Sequence, residues 1–343
     1  MKLLHYRGAV PNFGDDLNRD LWPALAPDLF DGDGSDLFVG IGTIIGMACD
    51  TAARLHVFSS GVGNDPVDRW QHRDVTYWCV RGPLSCRVLN LPPEQALTDG
   101  AILTPFATGF PRQAEPGSDI LIIPHFQSLD YPGWDEVAAQ TGFTLLDPRG
   151  ETQSVIAKIA AARLVLTESL HGAILADTYG IPWSVFATSG NFGSTKFLDW
   201  CLSLDIDFSF TYVPPPDAGH ILEHGKGPCI WGHSVTPSVD DAVAAFQARI
   251  APPVAPGWRG RVKAKVNEYD ILKRMLPYAP GRTAAALTRL AEGPVMLSRE
   301  TVRQRLQERM LARLMDLAAH RSPPTMAGVR EHPIAAPRVP AGQ

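Results

Sequence analysis

Cysteine is scarce in this 343-residue chain and never paired in sequence. Cys49, Cys79, Cys86, Cys201 and Cys229 are an odd, scattered set with no C-x-x-C, which speaks against a disulfide framework and against a structural zinc site. Long apolar runs are missing as well. None approaches the roughly 18–20 residues needed to span a bilayer. The opening Met-Lys-Leu-Leu-His-Tyr-Arg lacks the extended apolar core of a secretory signal. The expected compartment is the cytoplasm. No G-x-x-x-x-G-K-[ST] occurs, so a P-loop nucleotide site is absent. Gly40, Gly42 and Gly46 give G-x-G-x-x-x-G, one residue longer than the dinucleotide fingerprint, and no acidic residue follows at the right distance. No metal, nicotinamide or other cofactor is expected, and nucleic acid is not an expected partner.

What the chain does contain is apolar patterning on an α/β plan. With 45% hydrophobic residues, it is long enough for two domains of ordinary size and an appendage. Short apolar runs bounded by Gly, Pro or Asp recur at Lys2–Tyr6, Leu37–Ile41, Arg54–Phe58, Tyr77–Val80 and Gln95–Thr98. After the Pro/Gly/Glu-rich stretch Pro111–Gly117 they resume at Asp119–Ile123, Phe143–Leu146, Arg163–Thr167 and Trp183–Ala187. Strands alternating with helical spacing predict parallel sheets covered on both faces. The expected organisation is two doubly wound, Rossmann-like domains, 1–112 and 113–252, facing a cleft in a GT-B-like fold. Composition shifts to loops from Pro214. A helical extension follows over 253–320, with helical spacing at Val262–Met275, Thr283–Ala291 and Arg299–Ala319, and then a Pro-rich, disordered tail over 321–343.

Charge is uneven. Residues 1–258 hold 15 Lys+Arg against 29 Asp+Glu, and residues 259–343 hold 16 against 7, within a net charge of −5. A basic arm on an acidic body docks on that body, on a partner, or on an anionic membrane surface.

Candidate site residues cluster where strands are expected to end. His171, in Thr167-Glu-Ser-Leu-His-Gly172, sits between a buried strand and the amino end of a helix. Backbone N–H groups and the positive helix end favour a phosphate or carboxylate there. Arg81, ahead of Gly82-Pro83, is set to grip an anion or to form a salt bridge. Asp99, His125 and Lys196 end or follow other apolar runs. The turn Asn12–Asn18 brings Asp15 and Asn18 to the same edge, to cap a helix or to bind sugar hydroxyls. Gly42 and Gly61 lie in turns where backbone could approach a ligand or simply pack closely.

Taken in order, Asn12-Phe-Gly-Asp-Asp-Leu-Asn18, Gly40-Ile-Gly-Thr43, Ser60-Gly-Val-Gly63, Val80-Arg-Gly-Pro-Leu-Ser85, Asp99-Gly-Ala-Ile-Leu103, Ile123-Pro-His125 and Glu168-Ser-Leu-His-Gly-Ala-Ile174 with Gly180-Ile-Pro182 resemble the polysaccharide pyruvyl transferase family. The match spans residues 12 to about 200. The resemblance implies a GT-B-like fold and transfer of pyruvate from phosphoenolpyruvate onto two hydroxyls of an exopolysaccharide sugar or its lipid-linked repeat unit, giving a cyclic ketal and phosphate. It implies His171, Arg81 and His125 as catalytic residues. Asp15, Asn18, Gly42, Gly61, Asp99, Ser169, Leu170, Gly172 and Lys196 are the implied substrate contacts. Two positions depart from the family. Ser169 stands where many members carry arginine, and Thr98-Asp-Gly-Ala101 replaces Gly-Asp-Pro-Ala. A GT-B glycosyltransferase using a nucleotide sugar shares the architecture, but few cations lie near the second-domain glycine turns. A non-catalytic sugar-binding protein of the same fold is the other alternative.

Overall fold

Two parallel sheets carry the chain, described here by a computed structural model over residues 1–50, 53–115, 117–227, 230–251 and 277–321. The first sheet has the order β1-β2-β3-β4, from Lys2–Leu4, Asp36–Val39, Arg54–Phe58 and Val75–Cys79, all parallel. The second has the order β10-β9-β8-β7-β5-β6. Its strands are β5 (Ile120–Ile123), β6 (Thr144–Leu145), β7 (Leu164–Thr167), β8 (Trp183–Ala187), β9 (Phe210–Tyr212) and β10 (Ser234–Val235), and only the β9–β10 pair is antiparallel. Parallel neighbours require crossovers, and helices supply many of them. In chain order these are α1 (Phe13–Leu25), α2 (Pro83–Leu89), α3 (Trp134–Thr141), α4 (Thr152–Ala160), α5 (Leu170–Thr178), α6 (Ser194–Ser203), α7 (Gly219–His224), α8 (Val239–Ile250), α9 (Pro280–Ala291) and α10 (Glu300–Arg321).

Alternation along the strands explains why both faces are apolar. In β5 and β7, Leu121, Ile123 and Val165 join one large core. Ile120, Ile122, Leu164 and Leu166 turn the other way, against Trp134 and Leu287 from α3 and α9. A strand buried on both faces reads as an unbroken apolar run, which is how Leu-Val-Leu-Thr167 appears in the sequence. The large core is continuous between the two sheets. On the first-sheet side its densest part is aromatic, with Trp22 packed 5.0 Å from Phe38 and 5.4 Å from Phe58, ring centre to ring centre.

Several expectations need correction. Gln95–Thr98 is not a strand. Pro93–Gln95 forms a 3-10 turn, and only Ala96 bridges to Val80. Pro92 and Pro93 remove the N–H donors a ladder would use. The region after Pro214 is not all loop, since α7, β10 and α8 lie there. Of the docking alternatives for the basic arm, its described part takes the first, the body of the protein: α9 lies on α3, while α10 buries Val302, Leu306, Met310, Leu314 and Leu317 in the large core. Its last residue, Arg321, pairs with Asp31, Asp33 and Asp36 of the acidic body. The predicted helix Val262–Met275 and the tail beyond Arg321 fall outside the described residues. No helix among the described residues is long and apolar enough to cross a membrane.

Candidate active site

The loops that leave the carboxyl ends of both sheets meet at one place. From the first sheet come the turn before α1, the turns after β2 and β3, and Arg81 after β4. The second sheet contributes the segments after β5, β7 and β8. Open α/β sheets bind ligands at this edge.

At its centre His171, in the first turn of α5, meets Asp99, the residue that caps the 3-10 helix Gly100–Phe106. His171 Nε2 lies 3.9 Å from Asp99 Oδ2, and neither atom has a hydrogen-bond partner although both are buried. Asp99 Oδ1 is occupied, accepting from the Ala101 N–H at 3.0 Å. Burial pushes the Asp99 pKa up to about 6, against the Ala101 N–H and Arg81, which favour the carboxylate. Burial also holds His171 down to about 3, and the nearby Lys196 and Arg81 add to that. Near neutral pH the imidazole is therefore neutral and the carboxylate mostly ionised, an arrangement in which the ring can accept a proton and Asp99 can stabilise the resulting cation. The ring lies flat against α1. A Cβ on Gly14 would come within 2.1 Å of Nδ1, so only glycine allows this approach.

Lys196, on α6, is the free cation of the site. It is half-buried, and among the described residues no hydrogen bond or ion pair engages its ammonium group. Burial lowers its pKa to about 8, opposed by Asp15 and reinforced by Arg249 and Arg81. No hydrogen bond or ion pair to the Asp15 carboxylate occurs among the described residues, and its pKa is raised to about 6 by burial and lowered in part by Lys196. Beside it Gly42 has φ +126, in the left-handed region that favours glycine.

Most of the other predicted residues are engaged by contacts within the protein. Arg81 is wholly buried. Its Nε donates to Asp199 at 3.1 Å, one terminal nitrogen donates to Thr43 Oγ1 at 2.8 Å, and the other to the Val62 carbonyl at 3.2 Å. The salt-bridge alternative is thus the one realised. Gly61 gives that guanidinium its flat bed, because a Cβ there would sit 2.3 Å from Cζ. Asn18 is also sealed. Its Nδ2 donates to the carbonyls of Asp15 and Ile41, and its Oδ1 accepts from Trp22 Nε1 and the Ile41 N–H. Ser169 caps α5 by accepting from the Gly172 N–H at 3.3 Å, and Leu170 belongs to the core. His125 has no hydrogen bond or ion pair to His171 or Asp99 among the described residues. It borders a smaller pocket with Lys196 and His220, and burial holds its pKa at about 3.

Sequence reasoning passed over three residues. Asp199 gathers Arg81 with the N–H and hydroxyl of Ser85; its position three residues after Lys196 on a helix was the available signal. Glu168 sits inside the quoted motif. It accepts from the His125 N–H, the Ser128 hydroxyl, and both the N–H and hydroxyl of Thr188. Arg249 lies in a segment with no recognisable motif.

The sequence profile of the polysaccharide pyruvyl transferase family matches residues 106–190, which include β7, His171 and all of α5. The chain is also 33% identical over 242 residues to the succinoglycan biosynthesis protein ExoV of Rhizobium meliloti (strain 1021), a match covering 68% of this chain and 73% of that protein. The chain belongs to the polysaccharide pyruvyl transferase family. It is accordingly a pyruvyltransferase with a sugar or polysaccharide acceptor. Within the matched region, His171 is the titratable group left without a hydrogen-bond partner beside a buried carboxylate, and that carboxylate comes from the first half of the chain.

Proposed function

We propose that this protein transfers pyruvate from phosphoenolpyruvate to two hydroxyls of one sugar in an exopolysaccharide repeat unit, while that unit is carried on a lipid at the cytoplasmic face of a membrane. The two sheets are read as the halves of a GT-B-like fold, divided near residue 112, with the cleft between them as the reaction chamber. The observation that carries the reading is the unpartnered His171–Asp99 pair next to the unpaired Lys196. The donor brings a carboxylate and a phosphate, and the site offers a free cation and a neutral base.

In this scheme one sugar hydroxyl attacks C2 of the enol as its proton passes to His171. The imidazolium, stabilised by Asp99, returns that proton to C3, so the methylene becomes a methyl group. The second hydroxyl then displaces phosphate from C2 and gives up its proton to the departing inorganic phosphate. Both hydroxyl protons are thereby accounted for, one on C3 and one on phosphate. Asp15 is placed to hold an acceptor hydroxyl, since it borders a groove of about 390 Å3 that also includes Tyr6 and Arg19. Because the apolar face of α10 is committed to the core, any hold on anionic lipid falls to its arginines.

The test is direct. Purified protein is incubated with phosphoenolpyruvate and candidate oligosaccharide or lipid-linked acceptors, and phosphate release and acceptor mass are followed together. Acceptor-dependent phosphate release with the mass gain of one pyruvyl ketal is the expected result. Turnover with a nucleotide sugar, but none with phosphoenolpyruvate, would sink the proposal.

A further inference from the structure

Between α6 and α8 lies a cavity of about 310 Å3 in which, among the described residues, Lys196 and Arg249 are the charged lining side chains. No carboxylate among the described residues lines it, although residues 1–258 carry nearly twice as many acidic as basic side chains. Neither cation has an ion pair among the described residues. Lys196 has no hydrogen bond or ion pair among the described residues, and Arg249 makes one exposed contact, donating to Asn64 Oδ1 at 3.3 Å. Ser194 and Thr195 open α6 into the same cavity, and the helix begins at Gly193 with no side chain capping it. Two like charges and uncapped N–H groups around an empty space are mutually unfavourable until an anion joins them.

We propose that this cavity is the phosphate subsite of the donor, with Lys196 and Arg249 as its paired cations. The assignment rests on the phosphoenolpyruvate reading above and deepens it. It places the phosphate on the second-half side of the cleft and directs the enol toward His171. Arg249 lies on α8, well outside the 106–190 match.

The same chemistry would suit the diphosphate of a lipid-linked acceptor, so the experiment has two arms. Full-length protein, with no acceptor present, is titrated calorimetrically with phosphoenolpyruvate and separately with inorganic pyrophosphate. Arg249→Ala and Lys196→Ala are each expected to weaken phosphoenolpyruvate binding about tenfold or more, the loss of a charge-assisted hydrogen bond. Arg249→Ala should keep the parent melting temperature, because its one contact is exposed, and Arg249→Lys should fall between the two affinities. Unchanged phosphoenolpyruvate affinity in Arg249→Ala overturns the subsite, and so does a variant that loses pyrophosphate alone. Absence of phosphoenolpyruvate binding by the unmutated protein overturns the donor reading and this assignment with it.

Discussion

Two buried pairs of ionisable residues each link the first-sheet side of the molecule to the second-sheet side, and they are built on opposite plans. Arg81, after β4, reaches Asp199 on α6, and each is held by three hydrogen bonds: the guanidinium has three partners, while the carboxylate accepts from Arg81 and twice from Ser85. Asp99 and His171 span the same boundary 3.9 Å apart, with facing atoms that bond to nothing. Burying an ionisable group is costly unless it is hydrogen-bonded. Arg81–Asp199 meets that requirement and ties α2 and α6 together, whereas the unmet requirement at His171–Asp99 is the opening that the proposed substrate would complete.

The largest expected effect separates the pairs most cleanly. His171→Ala should lower pyruvyl transfer by about 10²–10⁴-fold with little change in melting temperature, as read by phosphate release beside calorimetric melting. Near-parental turnover would remove the ring from the chemistry. Arg81→Ala should do the reverse in kind. It strands Asp199 as an uncompensated buried charge and costs about 3–5 kcal/mol in urea unfolding, with part of that recovered in the Arg81→Ala, Asp199→Ala double variant. If Arg81→Ala instead abolished transfer at undiminished stability, the contrast would fail and Arg81 would be a substrate ligand.

Asp99→Asn tests the cost of the unsatisfied pair. The folded-state pKa of Asp99, about 6, lies above the ordinary unfolded value of about 3.9. The folded state therefore holds the proton more tightly. Stability falls as pH rises from about 4 to about 6, then stays at the lower level. Asparagine removes that dependence, so the variant should be more stable than the parent at pH 8, by on the order of 1–3 kcal/mol, with the gain gone below about pH 4. Transfer should drop, since the imidazolium loses its counter-charge. His171 contributes with the opposite sign: its lowered pKa favours the folded state above about 6.5 and costs stability as pH falls from there toward about 3. Denaturant curves across pH for parent and Asp99→Asn check both slopes. A less stable variant at pH 8 would mean that the carboxylate is held comfortably after all.

Much of this arrangement was legible in the sequence, and the limits have physical causes. Trp183–Ala187 reads as a strand because doubly buried parallel strands are apolar throughout, and His171 stands out because a polar residue interrupts such a run at its end. The antiparallel β9–β10 pair escaped notice because its strands of three and two residues are too short to show a period. The fate of Arg81 could not be read locally, because its partner Asp199 lies 118 positions away. The same holds for Asp99, whose meaning comes from a histidine in the other half. Arg249 carried no signal, since a lone arginine late in an amphipathic helix looks like any solvated surface charge until the fold turns it into a cavity.

The smallest effect concerns Ser169, two residues before His171 but hydrogen-bonded like the Arg81–Asp199 pair. Its hydroxyl oxygen accepts from the Gly172 N–H, and its own N–H donates to Thr167 Oγ1 at 2.8 Å. Both bonds stay within the strand-to-helix turn, so the side chain caps α5. Ser169→Ala should cost about 1 kcal/mol of stability and change the KM for phosphoenolpyruvate less than twofold, provided the anion is held by Lys196 and Arg249. Steady-state kinetics beside urea unfolding separate the outcomes. A normal unfolding curve with a KM raised tenfold would place the Ser169 hydroxyl on the donor, and the unsatisfied region of the site would then extend from His171 back into the turn that presents it.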